Sequence, residues 1–184
     1  METYKKEVKV RLKSQFHEII NEKNEALRQI TNMMMYMTPE DLDGEDVEAM
    51  IKRLFDDEDE SMDICTEGEL YYGDGRIEIR YIEPELTEMG ESVTAVTFEE
   101  DDPGLVAVMH GGDVYTALIL ERGVRHACVY SAGIMPITIY TTAKKVENEL
   151  TENGGVLTLV YTVETQEGIV QYNRMQMTVT PLNR

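Results

Sequence analysis

Hydrophobic and polar positions alternate with a period of two from the start of this chain. Val8, Val10, Leu12 and Phe16 are separated by Lys9, Arg11 and Lys13, which predicts a strand over residues 4 to about 20. Its end is ambiguous, because Phe16, Ile19 and Ile20 also suit the start of a helix. Residues 21 to about 60 change period. Leu27, Ile30, Met34 and Met37 recur every three or four residues. Thr38 and Pro39 then suit an N-cap and a first helical position, where the missing proline N–H costs nothing. Val47, Met50, Ile51, Leu54 and Phe55 form one apolar stripe, so a helix is expected from about 39, or from about 45, to 55. The run Asp56-Asp57-Glu58-Asp59-Glu60 opposes the dipole at the C-terminus of that helix and should end it.

From residue 62 onward the pattern is almost wholly β. Segments rich in Val, Ile, Thr and Tyr predict strands over 62–72, 76–83, 92–99, 104–110, 113–121, 124–131, 134–142, 155–164 and 169–180. Gly73-Asp74-Gly75, Asp102-Pro103-Gly104, Gly111-Gly112-Asp113, Arg122-Gly123 and Asn153-Gly154-Gly155 read as the turns between them. Of these, Gly111-Gly112 and Gly154-Gly155 are placed where hairpins need positive φ. Ile77, Ile79 and Tyr81 share a face opposite Arg76, Glu78 and Arg80. Leu157, Leu159, Tyr161 and Val163 share one opposite Thr158 and Thr162. Short connections imply antiparallel neighbours. About ten such strands favour a closed barrel or a sandwich. The expected architecture is mainly β: an antiparallel, calycin-like (lipocalin-like) barrel forming a single domain over 1–184. Residues 21–61 form a helical insertion between its first and second strands.

Composition narrows the functional classes. The chain has 184 residues, with 36 acidic and 17 basic side chains and a net charge of −19. Binding to nucleic-acid phosphates or anionic lipid needs Lys and Arg, so neither partner is expected. No apolar run approaches the ~20 residues of a membrane span, and none follows the N-terminus as a signal peptide would. Two cysteines, Cys65 and Cys128, are too few for a disulfide scaffold, and the cytoplasm is the expected compartment. Both lie in strand patterns, where a thiol behaves as a small buried hydrophobe.

Several short motifs together suggest a family. They are Thr66-Glu67-Gly68-Glu69-Leu70-Tyr71, Arg125-His126, Tyr130 and the run from Glu147 to Gly155. In order and spacing they resemble the uncharacterised bacterial YwiB-like family, whose members are small calycin-type barrels. The resemblance covers the first strand and everything from about residue 62 onward. It implies a fold and a bacterial origin but no activity. The roughly forty residues between the first two strands depart from the short connection usual in that family.

Candidate sites follow from which side chains a barrel would turn inward. Arg125 and His126 are consecutive in a strand and so face opposite ways, His126 with Cys128 and Tyr130. The inward one would be either a polar anchor for a ligand or half of a structural pair, for instance Arg125 with Glu67 or Glu69. Glu67 and Glu69 share a face with Cys65 and Tyr71. As paired carboxylates they suit acid–base chemistry, or simply a solvated face. His17, His110 and His126 are scattered without ligand spacing. Asp41-Leu42-Asp43-Gly44 places its glycine where a calcium loop does not want it, so no metal or other cofactor is expected. No complete catalytic constellation assembles, and the chain is read as a non-catalytic protein. It is read first as a module binding a small apolar or amphipathic molecule, anchored by Arg125 or His126 with Glu67 and by Tyr81, Tyr115 or Tyr130. The alternative is a protein partner met through the acidic surface and the Met-rich 21–61 insertion, which carries Met33, Met34, Met35 and Met37.

Overall fold

The computed structural model describes residues 3–18, 60–83, 92–112, 114–132, 136–165 and 168–182. Among them the regular elements are ten strands: β1 (Tyr4–Glu18), β2 (Glu60–Gly73), β3 (Arg76–Glu83), β4 (Ser92–Glu99), β5 (Asp102–Gly111), β6 (Val114–Glu121), β7 (Arg125–Ala132), β8 (Ile137–Asn148), β9 (Gly155–Thr165) and β10 (Gly168–Pro181). Each strand pairs antiparallel with the next, and β10 returns to β1, so the sheet closes into a meander barrel with no free edge. The expected closed antiparallel barrel is therefore present, with every predicted strand. The predicted helical insertion, with its methionines, falls outside the described residues except at its end, where Glu60 and Ser61 already belong to β2. Two turn assignments shift. Asp102, Pro103 and Gly104 lie within β5 and the turn is Glu100-Asp101. Gly154 and Gly155 do hold positive φ, at 85° and 136°, but Gly111 and Gly112 do not.

Register carries one face around the barrel. Val10 stands beside Val179 and Thr66, Leu70 beside Ile79, Ile79 beside Val96, and Val96 beside Val108. This is the inner face. Its apolar residues interlock most tightly at the end where β2 turns into β3. There Val8, Leu70, Ile77, Val106, Leu120, Leu157 and Met177 are essentially inaccessible. Leu150, on the connection from β8 to β9, joins this core and seals that end. We call it the lower end, and the opposite one, where β1, β3, β5, β7 and β9 finish, the upper end.

The wall is irregular in one place. The β6–β7 ladder runs only from Val114↔Ala132 to Ala117↔Val129. Below it the Ile119 N–H donates to Cys128 Sγ at 3.3 Å. The Thr141 hydroxyl donates to the Ile119 carbonyl at 2.6 Å, so side chains replace the missing ladder bonds. Arg122 bridges directly to Ala143, and the Gly123 N–H donates to the Ala143 carbonyl at 2.9 Å. The lower half of β7 is thus displaced from the barrel wall.

Candidate functional site

The upper half of the inner face differs in chemistry from the lower half. Register aligns Glu83 with Ser92, Tyr81 with Thr94, Thr94 with His110, His110 with Thr116, and Thr116 with Tyr130. A polar belt therefore crosses five strands, β3 to β7, inside the barrel. Glu83, Ser92, Thr94 and His110 in it are all buried. Thr94 Oγ1 donates to Glu83 Oε1 at 2.8 Å and lies 2.9 Å from His110 Nδ1. A hydroxyl has one proton, and this one is committed to the carboxylate, so Nδ1 must donate to Thr94. In the neutral imidazole this makes Nε2 the acceptor. Nε2 is buried and has no hydrogen-bond partner, nor has Ser92 Oγ. An unmet buried group of this kind costs about 1–3 kcal/mol, a debt that an arriving donor would cancel.

The upper half of the inner face is also less tightly buried than the lower half. Phe16, Met62, Val108, Thr116, Leu118, Tyr130, Tyr161, Val163 and Asn173 all carry inner-face parity yet are only half-buried. In a closed barrel such partial burial means that this part of the interior is not packed solid by its own side chains. Ten strands also enclose a wider interior than the eight that side chains just fill. Tyr161 sits deep: burial pushes its hydroxyl up to about 12 although the residue is not fully enclosed. The Tyr81 hydroxyl is raised further, by burial first and then by the Glu83 carboxylate. The phenols therefore report on the lumen. In an absorbance titration Tyr81 and Tyr161 should stay protonated well past the ordinary tyrosine value of 10.0. The unfolded chain loses those protons first, so these two groups cost stability as pH rises from about 10 towards 12. Ionisation of all tyrosines in one step near 10 while the fold persists would contradict this burial.

The residues singled out from sequence divide between the two faces. Tyr81, Tyr130 and His126 are on the inner face, but only Tyr81 and Tyr130 belong to the polar belt. His126 lies lower, beside the displaced part of β7, with Nε2 at 2.9 Å from Glu121 Oε2. Arg125 points outward. Its guanidinium lies 3.6 Å from the Tyr140 ring centroid and donates to Glu164 Oε2 at 2.8 Å. Its partner is thus neither Glu67 nor Glu69, because those strands lie across the barrel from β7. Glu164 is buried on the outer face with Val160, Thr162 and Tyr172, so this part of the sheet is buried on both sides and Thr162 is not the solvent residue its alternation suggests. Tyr115 is exposed on the outer face of β6.

Glu67 also faces outward. It lines a shallow groove of about 390 Å³ with Glu7, Glu69, Arg80, Ile82 and Val93. Next to it, Glu69 pairs with Lys5 and accepts from the Tyr71 hydroxyl. Those two bonds, Lys5 first, hold its carboxyl below the usual range. This is the shared face expected for Glu67, Glu69, Cys65 and Tyr71, but Cys65 is exposed there and only Cys128 is buried. The sequence alone points to neither Glu83 nor Thr94, and to His110 only as one of three scattered histidines without ligand spacing. Their signal was present: each keeps the parity of an apolar residue two positions away, Tyr81, Val96 and Val108 respectively.

A family model described as a domain of unknown function (DUF1934) matches residues 47–177. The match starts before the expected residue 62 and does not include β1. The crystal structure of ywiB protein from Bacillus subtilis superposes with a TM-score of 0.65 at 16% identity, covering 97% of this chain and 94% of that one. At that identity the likeness concerns the fold. No curated protein matches the sequence. Among the described residues no helix is long and apolar enough to cross a membrane.

Proposed function

Since this chain belongs to the DUF1934 family, barrel proteins of unknown function, its role has to be read from its own interior; we propose that it is a non-catalytic, calycin-like binding protein whose upper lumen takes one small amphipathic molecule. The observation that carries this reading is the half-buried state of Val108, Leu118, Tyr130 and Tyr161 on the inner face of a closed sheet. Apolar walls from Val108, Leu118 and Met62 stand next to the polar belt, the combination of apolar lining and few placed polar groups that small-molecule sites use. Tyr81 and Tyr130 keep the anchoring role expected of them. The remaining expected anchors, Arg125, Glu67, Tyr115 and the low-lying His126, do not line this chamber, and Glu83, Thr94 and His110 take their place.

Nile red, a neutral apolar dye, tests the reading. The purified full chain should take it up saturably at one site. Leu118→Trp, which puts a larger side chain into the lumen, should abolish uptake while the chain stays folded. Absence of uptake, or equal uptake by the variant, would remove the proposal.

A protein-interaction role is a second reading. It is favoured by Leu105, Met109, Ile119 and Val129, which are exposed together on the outer face of β5, β6 and β7. Native mass spectrometry separates the two: a guest adds a small mass, and a partner adds a whole chain.

A further inference from the structure

We infer that the guest is an amphipathic amine, its ammonium held by Glu83 and His110 and its apolar part lying against Val108 and Leu118. The inference rests on the binding reading above and adds the chemical class.

Among the described residues Glu83 is the one acidic side chain of the belt, and it is buried with one described hydrogen-bond donor, Thr94 Oγ1. His110 Nδ1 stands 3.5 Å from the same oxygen but directs its proton at Thr94. Oε2 receives no hydrogen bond from a described residue. A buried carboxylate ordinarily takes several donors or a cation. Among the described side chains of inner-face parity, no Lys or Arg reaches the upper lumen. Lys6 has that parity but stands at the lower rim, donating to the Glu152 carbonyl at 2.8 Å and to Asn153 Oδ1 at 3.1 Å.

Two fully buried atoms of the belt, which have no hydrogen-bond partner, ask for the same ligand. His110 Nε2 is an acceptor in the neutral ring, and Ser92 Oγ, on the position paired with Glu83, can accept as well. One negative oxygen and two neutral acceptors in one belt suit an ammonium, which has three donors and no acceptor. They repel a carboxylate or phosphate head, for which the described residues of the upper lumen offer no Lys or Arg.

Competition against Nile red on the full chain tests the class. At pH 7, decan-1-amine should displace the dye at a concentration about ten- to a hundredfold lower than decan-1-ol, the range of a charge-assisted over a neutral hydrogen bond. Decanoate should displace it least. In Glu83→Gln the ratio of the displacing concentrations of alcohol and amine, measured against the variant's own dye affinity, should fall towards one. The outer surface keeps its negative charge in that variant, so loss of the advantage places the effect in the lumen. Should Glu83→Gln not fold, Glu83→Asp keeps the charge, draws it back by one methylene, and should reduce the advantage. Dye displaced equally by amine and decanoate, or an amine advantage untouched in these variants, overturns the class while leaving the binding reading intact. No dye uptake at all overturns both.

Discussion

Gly154→Ala should lower the stability of the folded chain by about 3–5 kcal/mol, an estimate that combines left-handed backbone strain with overpacking. Gly154 holds φ at +85°, and a Cβ there would stand 2.3 Å from the Val179 carbonyl oxygen and 3.0 Å from Pro181 Cδ. Both neighbours belong to β10, which closes the barrel against β1, so they yield only if the seam yields. The connection also has little freedom of its own. Thr151 and Gly154 exchange two backbone hydrogen bonds at 3.0 Å, and the Thr151 hydroxyl adds a third at 3.1 Å. Leu150, next to Thr151, is the side chain that seals the lower end.

Gly75→Ala is the matched control. Its φ is +77°, but a Cβ there meets nothing within 4 Å, so it carries backbone strain alone, about 1–2 kcal/mol. Urea unfolding of the two variants should show unchanged slopes and a much larger fall in midpoint for Gly154→Ala. Equal falls would mean that the contact with β10 contributes nothing.

Most of the wall was legible in the sequence, and the reason is physical. A strand buried on one face must alternate, and the turns need Gly, Asp or Asn wherever φ is positive, so both signals survive without any knowledge of neighbours. The exceptions are places where a neighbour decides. β8 was expected to stop at 142 but runs to Asn148. The irregularity between Ala143 and Lys145 shifts its phase, so that Ala143 and Val146 both reach the inner side and the alternation breaks. Parity placed Arg125 and His126 on opposite faces correctly, yet it cannot name the inward one. That depends on how β7 meets β6 and β8. The belt was hidden for the same kind of reason. Glu83 and His110 near strand ends look like solvent residues until register shows Thr94 standing beside His110 and within reach of both.

The outer face of β8 and β9 holds the second large effect. Arg125→Ala should cost about 3 kcal/mol, at the low end for breaking a buried pair because the arginine is itself half exposed. For a domain of this size that lowers the melting temperature by roughly 6–12 °C. The asymmetry between the partners sets the cost. Arg125 can be hydrated when alone, but the Glu164 side chain is only 5% exposed and would be left without the guanidinium that bonds it at 2.8 Å. Lys144 is also buried nearby. Desolvation lowers its pKa and the Glu164 carboxylate works against that, so the lysine gains from the same negative charge without replacing the arginine's bond. The loss therefore comes from a stranded carboxylate more than from a missing attraction, and that account makes a second demand. Glu164→Gln in the Arg125→Ala background should recover about half or more of the lost stability, because a neutral amide is far cheaper to bury than an unpaired charge. Loss of the stacking on Tyr140 would persist in both variants and limits the recovery. If the double variant proves no more stable than Arg125→Ala alone, the cost lies in packing against Tyr140, and the ion pair is incidental to how this side of the barrel is held.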